Sequence, residues 1–160
     1  MTLAICPGSF DPPTNGHIDV VQRACRHFET VLVAVLDNPA KKTLFPASER
    51  VELLRKALAG CPNARVEAYR GLLVDLARAR GAQMVVKGLR ALSDVEYELQ
   101  MAQINAKLLD GLDTAFIATN PRWSFISSSL VKEVASYGGD VSELVPAGVE
   151  EALKQRFRAE

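Results

Sequence analysis

The N-terminal stretch constrains this chain more than any other. Residues 2–6 read as a short apolar strand, Pro7-Gly8-Ser9-Phe10-Asp11-Pro12-Pro13 as a tight turn, and Thr14-Asn15-Gly16-His17 as the opening of a helix with apolar periodicity. A helix start is a place to hold an anion. Its first N–H groups have no intrahelical partner, and glycine lets a ligand come close to the backbone. His17 adds a side-chain donor at the same point. A phosphate-bearing ligand is the natural occupant of such a turn.

The rest of the chain keeps the alternation. Residues 31–36 are β-branched and apolar, as in a buried parallel strand. Ser48 and Glu49 start a helix that runs to about Ala59, with Gly60 ending it. Strand 65–69 and helix 72–80 follow, the latter closed by Gly81 at a left-handed cap. Residues 84–86 form a short buried strand, and Ser93-Asp94-Val95-Glu96 has the pattern of a capping box opening a long helix to about Asp110. Strand 114–118, helix 127–137 stopped by Gly138-Gly139, and an amphipathic helix 148–157 complete the chain. This βαβα order predicts an α/β fold, a single Rossmann-like domain over residues 1–160, with a five-stranded parallel sheet and helices on both faces. A chain of this length buries about 70% of the surface its unfolded form exposes, enough for a substantial core.

Composition narrows the function classes. Lys plus Arg and Asp plus Glu both number 19, so the net charge is zero. That argues against broad nucleic-acid or membrane-surface binding but leaves room for a local cationic pocket. The three cysteines, Cys6, Cys25 and Cys61, contain no Cys-x-x-Cys, and only His17 and His27 could join them, so neither a disulfide framework nor a zinc site is expected. Free thiols suit a reducing compartment. The N-terminus shows neither a charged n-region nor a long apolar h-region, and no apolar run approaches the ~18 residues of a membrane span. A soluble cytoplasmic protein with no nucleic-acid or membrane partner is expected.

Open parallel sheets bind ligands beyond the carboxyl ends of their strands. Ser9 and His17 follow the first strand, Lys41 and Lys42 the second, Lys87, Gly88 and Arg90 the fourth, and Arg122, Trp123 and Ser127-Ser128-Ser129 the fifth. The fold therefore predicts one rim of cations and hydroxyls. One serine suffices for an N-cap, so three in a row point to phosphate oxygens at the helix start. Arg90 offers a forked pair of donors. Lys41-Lys42 taken alone is a solvated charge pair, and Trp123 taken alone is a packing residue. Cys6 sits at a strand end without a histidine partner, so covalent catalysis is not expected. The set suits positioning and charge neutralisation, as in phosphoryl-type transfer.

The long helix carries one apolar stripe of Tyr97, Met101, Ile104 and Leu108, and a second of Val95, Leu99, Ala102, Ala106 and Leu109. Either this helix is deeply buried, or part of its arc meets another subunit.

The stretches Pro7-Gly8-Ser9-Phe10-Asp11-Pro12, Thr14-Asn15-Gly16-His17, Lys87-Gly88-Leu89-Arg90, Glu96-Tyr97-Glu98 and Trp123-Ser124-Phe125-Ile126-Ser127-Ser128-Ser129 together resemble the bacterial phosphopantetheine adenylyltransferases, over nearly the whole chain. The Thr-x-Gly-His and Ile-Ser-Ser-Ser elements belong to the wider nucleotidyltransferase superfamily. The resemblance implies that ATP and 4′-phosphopantetheine react to dephospho-coenzyme A and pyrophosphate by direct in-line attack, the penultimate step of coenzyme A biosynthesis. It implies Mg2+ with the ATP, a cytoplasmic homohexamer, and coenzyme A as a feedback inhibitor. By the same resemblance, His17, Ser9, Lys41 and Arg90 are catalytic. Ser9, Phe10, His17, Gly88, Leu89, Arg90, Glu98, Trp123, Ser124, Phe125, Ile126, Ser127, Ser128 and Ser129 match ATP-contacting positions. Ser9, Lys41, Leu73 and Lys87 match phosphopantetheine-contacting ones. Ser9 stands where threonine is common and Lys87 where arginine is common, and both keep the functional group. Two other readings stand beside this one: an adenylyl- or cytidylyltransferase for another phosphomonoester, such as a nicotinamide or nicotinate mononucleotide, and a non-catalytic nucleotide-binding module.

Overall fold

Five parallel strands form one sheet in the order β3-β2-β1-β4-β5. The computed structural model describes residues 2–158. The strands are β1 (Leu3–Gly8), β2 (Thr30–Leu36), β3 (Ala64–Tyr69), β4 (Met84–Leu89) and β5 (Asp113–Ala118). The helices are α1 (Asn15–Ala24), α2 (Ala47–Ala57), α3 (Leu73–Arg80), α4 (Leu92–Leu108), α5 (Ser128–Ser136) and α6 (Ala147–Arg158). Among the described residues no helix is long and apolar enough to cross a membrane.

Side chains alternate across a strand, and that period sorts the core into two layers. Ala4, Cys6, Val31, Val33 and Val35 face α1 and α2, packing on Ile18, Val21, Val51 and Leu54. Ile5, Leu32, Ala34 and Val85 point the other way, onto Val74, Leu76 and Ala77 of α3. Helices on both faces of a parallel sheet are thus realised. A third cluster joins Phe45, Ile126, Val131, Val145 and Leu153, seating α5 and α6 beside the sheet.

The chain runs outward from β1 in both directions, so crossovers reverse between β1 and β4. Ligands of open α/β sheets bind at such a point. Here the two strands share the pairs Ala4↔Met84 and Ile5↔Val85. By contrast β4 pairs β5 from Met84↔Asp113 through Leu89↔Ala118. Beyond Ile5 and Val85 the strands part, and the cleft opens in the gap. Pro7 sits there without an N–H to offer β4, while its other side stays in register with Ala34.

Three expectations change. Lys87 and Gly88 belong to β4 rather than to a loop, because the β5 ladder holds the strand straight to Leu89. The capping box at Ser93 does not form: α4 starts behind Ala91 with no side-chain cap, and Asp94 turns back to accept the Arg90 N–H at 3.2 Å. Nor is α4 deeply buried. Asn105 is its one buried residue among those described, and much of its apolar arc faces outward.

Candidate active site

Thr14 builds the first part of the site. Its hydroxyl caps α1 by accepting the His17 N–H at 3.3 Å, and its own N–H donates to His17 Nδ1 at 3.0 Å. This is a capping box with histidine in the place of the usual Glu or Gln. An Nδ1 that accepts a hydrogen bond carries no proton, so the neutral ring bears its hydrogen on Nε2. Burial, with Arg90 and Lys87 nearby, pushes the His17 pKa down to about 4. At neutral pH His17 is therefore an uncharged Nε2–H donor lining the cleft. Phe10 meets its ring edge-on with centroids 5.0 Å apart.

The cleft is a cavity of about 370 Å³. Ser9 and Lys41 close one side, with Lys41 Nζ donating to Ser9 Oγ at 3.1 Å. Lys87 and Arg90 line the β4 side. Lys87 faces Glu98 at 3.4 Å, and Arg90 pairs with Asp94 while its Nη1 donates to the Ile126 carbonyl at 2.8 Å. Gly88 is required by space: a Cβ there would lie 2.8 Å from a Val20 methyl and 3.4 Å from Thr119 Oγ1. The hydroxyl run divides its labour. Ser127 caps α5 by accepting the Leu130 N–H, and Ser128 donates to the Pro12 carbonyl at 2.7 Å. Ser129 lies in the first turn of α5 and also lines the cavity. A helix N-terminus, several cations and a neutral donor thus converge on one volume, an arrangement made for phosphates.

The structure brings Ser9, Phe10, His17, Lys41, Lys87, Gly88, Arg90, Glu98, Ile126 and Ser127–Ser129 to this cavity. The others are not in its lining. Leu89 ends β4 next to Arg90. Trp123 packs on the third cluster under the Arg122 guanidinium, 4.5 Å from its ring centroid. Ser124 donates to the Pro121 carbonyl, and Phe125 is exposed. Leu73 opens α3 and packs against the second cluster. Lys42 is exposed outside the lining. Cys6 is buried with its thiol pushed up to about 12, chiefly by desolvation, so it is no nucleophile at neutral pH.

Sequence reasoning missed Asp11, Thr14, Asp94, Thr119 and Lys132, all of which line the cavity. Thr14 carried a usable signal, three residues ahead of His17. Asp11 and Lys132 did not, because their pairing at 3.1 Å spans most of the chain.

Residues 5–134 match the cytidylyltransferase-like family. The phosphopantetheine adenylyltransferase of Streptomyces coelicolor is 56% identical over 158 residues, covering 99% of each chain. The crystal structure of a putative nicotinate-nucleotide adenylyltransferase from Vibrio parahaemolyticus has the same fold. It aligns with a TM-score of 0.71 at 20% identity, over 100% of this chain and 98% of that one.

Proposed function

This chain belongs to the cytidylyltransferase-like family and, within it, to the phosphopantetheine adenylyltransferases, and we propose that the cleft between β1 and β4 is where its reaction occurs. The enzyme transfers the adenylyl group of ATP to 4′-phosphopantetheine, giving dephospho-coenzyme A and pyrophosphate. A phosphate oxygen of phosphopantetheine attacks the α-phosphorus, the bond to the β-phosphate oxygen breaks, and pyrophosphate leaves. The observation that carries the site is the neutral His17 ring, its Nε2–H fixed by Thr14, in a cavity flanked by Lys41, Lys87 and Arg90.

The proposed roles are these. Lys41 and Ser9, already bonded to each other, hold the attacking phosphate. His17 donates to the α-phosphate as charge builds there. Arg90 and the Ser127–Ser129 helix start hold the leaving phosphates, and Arg90 has two guanidinium N–H groups beyond those bonded to Asp94 and Ile126 to do so. Phe10, Gly88, Leu89, Glu98 and the segment from Trp123 to Ile126 surround the rest of ATP. Leu73 and Lys87 face the phosphopantetheine arm. Magnesium enters as part of the substrate, on the triphosphate, with phosphate oxygens and water as its main ligands. The protein works in the cytoplasm as a homohexamer, with coenzyme A as a feedback inhibitor.

A substrate panel read by pyrophosphate release tests the assignment. Phosphopantetheine with Mg-ATP is expected to be turned over far faster than nicotinate or nicotinamide mononucleotide, or than CTP replacing ATP. Preference for a mononucleotide would move the chain to a neighbouring activity. ATP binding without pyrophosphate release from any acceptor would make it a binding module.

A further inference from the structure

Asp11 takes no part in the roles just described, yet it is buried at the wall of the cavity. Its Oδ2 accepts the Leu44 N–H at 2.9 Å and its Oδ1 the Phe45 N–H at 2.9 Å. Lys132 Nζ of α5 donates to Oδ2 at 3.1 Å. Leu44 and Phe45 end the strap that returns from β2. The strap's other end is tied at Asp37, whose N–H donates to the Tyr69 carbonyl and whose carboxylate pairs with Arg70 and the buried Arg50. Between the two anchors residues 38–42 are exposed, and Lys41 among them reaches Ser9 Oγ. One turn before Lys132, on the same face of α5, Ser128 donates to the Pro12 carbonyl.

We propose that Asp11 is a positioning residue: through the Leu44 and Phe45 amides it sets the strap so that Lys41 meets Ser9, and through Lys132 it ties that strap to the helix whose start carries the hydroxyl run. The chemistry calls for a carboxylate. Three donors converge on one group, and a carboxylate is acceptor-only at both oxygens, whereas an amide would turn two N–H donors of its own toward one of them. The assignment rests on the reading of Lys41 as a substrate-phosphate ligand, so its test has one arm that does not use activity.

Asp11→Asn, Lys41→Ala and the double variant are compared with the wild type. Hydrogen exchange of the Leu44 and Phe45 amides is expected to speed up at least tenfold in Asp11→Asn and to stay at the wild-type rate in Lys41→Ala. In steady state Asp11→Asn lowers kcat by roughly 10- to 100-fold, the scale of a misplaced catalytic group, while KM for ATP moves less than about threefold. In the Lys41→Ala background the same change costs less than about threefold more, because it acts through Lys41. Additive losses in the double variant, or a loss carried mainly by KM for ATP, would reduce Asp11 to general structural support. Unchanged exchange would remove the strap contact itself. Should Asp11→Asn not fold, Asp11→Glu keeps the charge while displacing the strap, and carries the same expectations. If the wild type fails to turn over phosphopantetheine, the functional reading falls, and the exchange arm still decides whether Asp11 holds the strap.

Discussion

A single histidine here does two jobs that ordinarily fall to two residues. It closes the N-terminal cap of α1, and the cap in turn fixes which ring nitrogen keeps the proton. His17→Gln separates the jobs, since Gln at that cap position can still accept the Thr14 N–H but offers no imidazole donor to the cleft. It is expected to fold with nearly the wild-type Tm at pH 7 and to lose roughly 10²- to 10³-fold in kcat. The same residue has a pH signature. Its folded pKa of about 4 lies below the 6.5 of an ordinary histidine, so the unfolded chain takes up the proton first. The stability that the neutral ring preserves is complete above pH 6.5 and is lost as pH falls from 6.5 toward 4, by on the order of 1 kcal/mol per pH unit. Thermal melts over that window should therefore fall more steeply for the wild type than for His17→Gln. Parallel curves would show that the ring titrates alike in the folded and unfolded chain, so that folding does not hold it neutral.

At the scale of elements, the cleft depends on how closely β4 passes α1. Gly88 sets that distance, because any Cβ would press on Val20 at 2.8 Å. Gly88→Val is expected to push the strand and helix apart, costing about 1–3 kcal/mol by overpacking and weakening ATP binding more than phosphopantetheine binding. Urea melts and separate KM values check both halves, and equal losses for the two substrates would place the damage elsewhere. The strands themselves were legible because runs such as Val31 to Leu36 are apolar on both faces, as only a doubly covered parallel strand requires. The end of β4 was not. Lys-Gly reads as a loop until the β5 ladder is known to extend to Leu89. The Ser93 capping box failed because α4 already starts at Leu92: the N-cap position falls on Ala91, Ser93 lies inside the first turn, and Asp94 bonds back to the Arg90 N–H, a start that short-range pattern rules do not foresee. Arg50 shows the limit most plainly. Buried in α2, it donates to the carbonyls of Ser9, Leu36 and Phe45. Nothing in its own neighbourhood marks it as the staple between the first turn and the Lys41 strap. The site's motif residues were legible because they lie together in sequence, while their supports come from segments far along the chain.

For the whole molecule the unresolved tension is α4. At 100° per residue, Asp94, Glu98 and the buried Asn105 fall within a narrow arc facing the body of the protein, where the two acids meet Arg90 and Lys87. Tyr97, Ile104 and Leu108 occupy one flank, and Leu92 and Leu99 the other, with exposures from 45% to 90%. Two apolar flanks on opposite sides of one helix cannot be covered by a single flat contact. Two kinds of interface can cover them, one two-fold and one three-fold, and with perpendicular axes these close at six subunits. That is the geometry expected of the proposed homohexamer, and it predicts that the flanks are separable. Sedimentation of the wild type should give six chains of 17.4 kDa. Ile104→Glu and Leu99→Glu, each placing a charge in one interface, should give smaller species of two different sizes, because each leaves the other contact intact. The Asp94 and Glu98 contacts lie on the third side of the helix and should survive in both variants, so ATP binding should weaken far less than assembly. A wild type that sediments as a monomer, or two variants that fall to the same species, would mean that the two flanks do not serve two interfaces.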